Sequence, residues 1–124
     1  MDGRLNGRGL VVAVCGGRNY NNEDGVFNAL DRYSYVPKVT VVTGGAQGAD
    51  ALAEFLAKRF FGFSVAVENA DWKTEGKAAG PLRNERLLEH WHPDVLLAFP
   101  GGRGTADMVE RARTKGIPVL ELGG

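Results

Sequence analysis

Cysteine is almost missing from this chain: Cys15 is the only one in 124 residues. One thiol excludes an internal disulfide framework and fits a reducing compartment, so cytoplasm is the expected location. An excess of charge of either sign is missing too. Fifteen Lys and Arg balance fifteen Asp and Glu, which leaves no global positive field to hold duplex nucleic acid, and any anion site has to be local. No apolar stretch approaches the roughly 20 residues that cross a bilayer, and the opening MDGRLNGRG lacks the apolar core of a signal peptide, so no membrane partner is expected. Histidine is equally scarce. His90 and His92 flank Trp91 at a helix end and point to different sides, and Cys15 alone could join them, so no metal site is expected. Internal repeats and low-complexity tracts are absent. The length suits one domain, with residues 1–9 read as a loose polar tail and 10–124 as the domain.

Short apolar runs alternating with longer amphipathic segments are what the chain does have. LVVAVC (Leu10 to Cys15), VTVVT (Val39 to Thr43), SVAVE (Ser64 to Glu68), DVLLAF (Asp94 to Phe99) and IPVLEL (Ile117 to Leu122) read as strands. Most are apolar almost throughout, the pattern of strands covered on both faces in a parallel sheet. ADALAEFLAKRFF and TADMVERARTKG read as crossover helices, with EDGVFNALDRY and GPLRNERLLEHW as further helices. The right-handed crossover rule folds this alternation into an α/β domain: a single Rossmann-like, doubly wound parallel sheet of about five strands with helices on both faces. If the strand order is 3-2-1-4-5, the ligand crevice lies between the carboxyl ends of the first and fourth strands.

Glycine clusters at that edge. Gly16, Gly17, Arg18, Asn19 and Tyr20 follow the first strand; Gly44, Gly45, Gln47, Gly48 and Asp50 follow the second; Gly101, Gly102, Gly104 and Thr105 follow the fourth. Bare backbone brings amide N–H groups close to a bound group, and each following helix adds unpaired donors and a positive dipole end, so phosphate is the natural occupant. Steric demand at strand-to-helix turns also favours glycine. No G-x-G-x-x-G opens the first helix, and EGKAAG lacks the Ser or Thr that follows a P-loop lysine, which removes the dehydrogenase and ATPase readings and leaves no cofactor expected. In GPLRNERLL, Arg83 and Arg86 stand on one helix face, suited to bidentate phosphate binding, with Asn84 available to a base or ribose edge. The plainer alternative pairs both arginines with Glu85 and Glu89. Trp72 either stacks on a base at the rim or packs the loop. Asp50 serves as a helix N-cap or contacts a ribose hydroxyl.

VVTGGAQGADALAEFLA, ADWKTEGKAAGPLRNERLL and DVLLAFPGGRGTADMVERARTKGIPV together resemble the YspA-like branch of the SLOG superfamily, which also holds the LOG phosphoribohydrolases and the DNA-processing protein A fold. The resemblance runs from Leu10 to Leu122 with its motifs in order. It implies a Rossmann-like domain of bacterial or phage type that binds a nucleotide-derived ligand, ADP-ribose-like or cyclic, as a sensor or sequestering protein, and that forms a homodimer or higher homo-oligomer. In the LOG enzymes, P-G-G-x-G-T-x-x-E ends in a glutamate that assists N-glycosidic cleavage. Met108 stands there in this chain. A thioether neither accepts a proton nor stabilises an oxocarbenium ion, so hydrolysis requires a relocated carboxylate, for which Asp50, Asp107 and Glu110 are the candidates. Single-stranded nucleic-acid binding is a weaker alternative, since the chain lacks the positive charge and aromatic row of such grooves.

Overall fold

A computed structural model describes residues 8–123. β1 (Leu10–Cys15), β2 (Val39–Thr43), β3 (Ser64–Val67), β4 (Val95–Ala98) and β5 (Val119–Glu121) form one sheet in the order β3-β2-β1-β4-β5. Every pairing is parallel, and Val12 of β1 sits in register with both Val41 of β2 and Val95 of β4. The three inner strands are the apolar ones, because each has strand neighbours on both sides and helices on both faces. Edge strands β3 and β5 keep exposed residues.

Crossovers are made by α1 (Glu23–Asp31), α2 (Ala49–Leu56), α4 (Ala79–Trp91) and α5 (Arg103–Thr114), with α3 (Trp72–Glu75) as one short turn before α4. Strand residues alternate between two apolar layers. Val12, Val14, Val41 and Leu97 face α1 and α2, where Val26, Leu30, Ala53 and Leu56 meet them. Val11, Ala13, Val42 and Leu96 face α4 and α5, where Leu87, Leu88, Met108 and Ala112 meet them. Past Leu56 the helix widens into a π-helical stretch over Ala57–Phe61 and stops at Gly62, whose φ of 70° is left-handed.

Three strands are shorter than their apolar runs. Asp94 precedes β4 because its carboxylate accepts the Val11 N–H at 2.8 Å, and Ile117 is buried ahead of β5. α3 is unannounced by periodicity; Asp71 caps it by accepting the Thr74 N–H at 3.2 Å. Of the polar segment 1–9, residues 1–7 lie outside the described residues, while Arg8 is held by the fold. Its guanidinium donates to the carbonyls of Trp91 at 2.7 Å and His92 at 2.8 Å and pairs with Asp94 at 3.3 Å.

Candidate functional site

Reversal of strand order between β1 and β4 separates the chains leaving their carboxyl ends, and a cleft of about 1290 Å³ opens there. Its floor is Val14, Cys15, Gly44, Asp50 and Met108; Arg83 and Asn84 of α4 form one wall, Gly102 to Thr105 of α5 another, and Trp72 and Lys77 stand at the rim. Gly16, Gly17, Arg18 and Gly45 also line it. Asn19, Gln47, Gly48, Arg86 and Gly101 do not.

The glycines divide by what a side chain would meet. Gly17 ties the turns together: its N–H donates to Pro100 O at 2.8 Å, and its carbonyl accepts from Tyr20 and Ala49, each at 3.2 Å. A Cβ on Gly16 would lie 2.5 Å from Ala49 Cβ, and one on Gly101 would lie 2.7 Å from Gly17 N. Gly48, at φ 75°, caps α2 against the Gly17 carbonyl. These glycines are required by the close approach of one turn to another. Gly102 and Gly104 are different: a Cβ at either meets nothing within 4 Å, and neither has a positive φ. Gly102 holds the N-cap of α5, where glycine is common, whereas the fold gives Gly104 no reason to be glycine; both line the cleft.

Arg83 and Asn84 are placed by α4 packing on α5. Arg83 donates through Nη1 to Gly44 O at 2.6 Å and through Nε to Asn84 Oδ1 at 2.9 Å; its Nη2 has no partner among the described residues. Burial draws its pKa below the ordinary guanidinium range, opposed by the Asp50 carboxylate. Asn84, only 3% exposed, completes its hydrogen bonding inside the protein by donating to Asp107 Oδ2 at 2.9 Å and Gly104 O at 3.3 Å. It therefore holds Arg83 and the first turn of α5 rather than offering a free edge to a base. Arg86 is turned away from the cleft and pairs with Glu75 at 3.1 Å, a partner from α3 in place of the expected Glu85 and Glu89. Glu85 instead binds Arg111 at 3.2 Å and Lys115 at 3.1 Å.

Among the candidate carboxylates, Asp107 Oδ2 is taken by Asn84 and by Arg111 at 2.9 Å. Glu110 faces a smaller cavity of about 570 Å³ between α5 and β5. Asp50 is in the cleft floor. It lies inside the first turn of α2 and does not cap it, because Gly48 holds the cap position. Asp50 Oδ2 accepts the N–H groups of Gly44 at 3.1 Å and Ala46 at 3.2 Å, which shapes the β2 turn. Its Oδ1 is buried without a partner among the described residues. Burial pushes its pKa up to about 6, against the pull of the Ala46 and Gly44 amides and Arg83. Cys15 beside it is pushed up to about 12, first by burial and then by the Asp50 charge, so the thiol stays protonated at neutral pH. Met108 is 2% exposed and packs in the α4–α5 layer. Trp72 is exposed, with its ring edge 3.4 Å from where a Cβ of Gly80 would lie.

An open parallel sheet with glycine turns from three strands around a cleft at its switch point is a Rossmann-like α/β domain of the ligand-crevice type. Residues 10–74 match the YspA, cpYpsA-related SLOG family, and the chain belongs to that family. It is 41% identical over 120 residues to the Gene 61 protein of Mycobacterium phage D29, covering 90% of this chain and 95% of that one. Its fold is similar to the X-ray structure of DNA processing protein A from Streptococcus pneumoniae, with a TM-score of 0.53 at 17% identity, covering 90% of this chain. This chain spans 58% of the length of that structure. Membership of the SLOG family associates the chain with nucleotide-related binding or processing.

Proposed function

We propose that the cleft binds a nucleotide or a nucleotide-derived ligand, ADP-ribose-like or cyclic, and that the protein acts as a sensor or sequestering protein for it. Gly102 and Gly104 carry this reading. They leave the start of α5 bare where no protein atom needs the space, and a phosphate can approach the unpaired amides and the positive end of a helix twelve residues long. Arg83 adds a fixed guanidinium whose Nη2 remains available, and the exposed indole of Trp72 offers a stacking face to a base. Family membership supports the same ligand class.

Isothermal titration with AMP, ADP-ribose, NAD and cyclic dinucleotides tests the proposal. Binding of at least one, lost in a Gly102→Val, Gly104→Val double variant that remains folded, is the expected result. Silence across the whole panel from folded protein overturns it. Chromatography after prolonged incubation with AMP should show no free adenine, since Met108 supplies no acid and Asp107 is engaged. Adenine release that disappears in Asp50→Asn would assign hydrolysis to that carboxylate instead.

A further inference from the structure

Among the described residues, three buried side-chain polar atoms lack a hydrogen-bond partner: Arg8 Nε, Tyr20 OH and Asp50 Oδ1. Asp50 is the one whose residue lines the cleft. Its side chain cannot turn to find a partner, because Oδ2 is held by two amides of the β2 turn. A residue only 5% exposed therefore keeps one carboxylate oxygen unpaired, with almost none of its surface open, in the floor of a cleft wide enough for a small molecule. Leaving a buried acceptor unsatisfied is costly, and a ligand donor removes that cost.

The chemistry of the oxygen narrows what reaches it. An ionised carboxylate only accepts, and it repels a phosphate. The anion-binding groups, namely the start of α5 and Arg83 Nη2, lie on the walls instead. A ligand that meets both must present an anionic group to the wall and a neutral donor to the floor. In a nucleotide, the sugar hydroxyls are the donors nearest the phosphate. Resting on the nucleotide reading above, we infer that Asp50 Oδ1 accepts a hydrogen bond from a ribose hydroxyl, so that the site selects ribonucleotides over their deoxy counterparts. Asp50 is then a specificity residue with two tasks: one oxygen shapes the glycine turn, and the other reads the sugar.

Calorimetric titration of the wild-type protein with AMP, 2′-deoxy-AMP and 3′-deoxy-AMP is the test. One of the two deoxy compounds should bind about 10- to 100-fold more weakly than AMP, the loss expected for a hydrogen bond to a charged acceptor. Asp50→Asn retains an amide oxygen for the Gly44 and Ala46 N–H groups and removes the charge, so the preference for AMP should shrink to a few-fold while melting remains cooperative. If AMP binds and both deoxy compounds bind within twofold of it, the inference is overturned and the nucleotide reading stands. If none of the three binds and the wider panel is also silent, the nucleotide reading falls and takes the inference with it. The wild-type comparison decides the matter even if the variant does not fold.

Discussion

Arg83 lines the cleft and is anchored at Gly44 and Asn84 with its Nη2 unpaired among the described residues, while Arg86 is committed to Glu75. Arg83→Ala should therefore weaken AMP or ADP-ribose binding by about 1.5–3 kcal/mol, and Arg83→Lys should restore little, because an ammonium cannot reproduce the fork that grips two acceptors. Arg86→Ala should leave affinity unchanged and lower stability by less than about 1 kcal/mol, as its pair with Glu75 is partly solvated. Titration calorimetry and urea unfolding separate the two. Asp50 carries a pH signature. Its folded pKa of about 6 lies above the ordinary 3.8, so the folded state holds the proton more tightly than the unfolded one. The stability associated with that proton is present below about pH 4 and is lost as pH rises towards 6. The full difference amounts to roughly 3 kcal/mol. Urea unfolding of Asp50→Asn should lack this fall, whereas a parallel pH dependence in both proteins would show that Asp50 does not titrate in this range. Both arginines could be picked out as charged residues three apart, but their opposite roles could not. The deciding partners, Gly44 and Glu75, lie 39 and 11 residues away.

At the scale of elements, α5 begins with a glycine that weakens it. Gly104 lies in the first turn of the helix, where alanine is favoured over glycine by up to about 1 kcal/mol. Since a Cβ there meets no protein atom, Gly104→Ala should raise the melting temperature and at the same time reduce ligand affinity. A gain in stability with no loss in binding would show that the bare turn does not serve a ligand. Met108 marks the opposite constraint on the same helix. It occupies the position of the LOG glutamate but is 2% exposed in an apolar layer, so Met108→Glu should cost several kcal/mol by burying a carboxylate and should lower the melting temperature sharply. The existence of the major strands and helices could be read from the sequence because the strands are nearly continuous apolar runs and the helices are amphipathic segments several turns long. The short α3, the π-helical widening after Leu56 and the exact ends of β4 and β5 could not. They depend on single caps and on where neighbouring strands stop pairing.

For the molecule as a whole, balanced charge leaves only local sources of anion affinity. Duplex DNA should therefore show no shift in an electrophoretic mobility assay at roughly physiological ionic strength, while a nucleotide at about 100 times its Kd should stabilise the fold by about 2.7 kcal/mol and raise its melting temperature. Among the described residues no helix is long and apolar enough to cross a membrane. The alternation of apolar runs with amphipathic segments was by itself enough to determine a parallel α/β sheet with the glycine turns at the carboxyl ends of its strands, because crossover handedness and two-sided burial leave few other arrangements. The strand order β3-β2-β1-β4-β5 was an assumption until the pairings of the structure supplied it. Only the tertiary structure decided what each polar residue at that edge does. Asn84 and the Oδ2 of Asp107 are engaged between α4 and α5, Arg86 is drawn to α3, and Asp50 retains one oxygen without a partner among the described residues. A side chain's freedom to meet a ligand depends on the hydrogen bonds it already makes, and those partners come from segments far away in the chain.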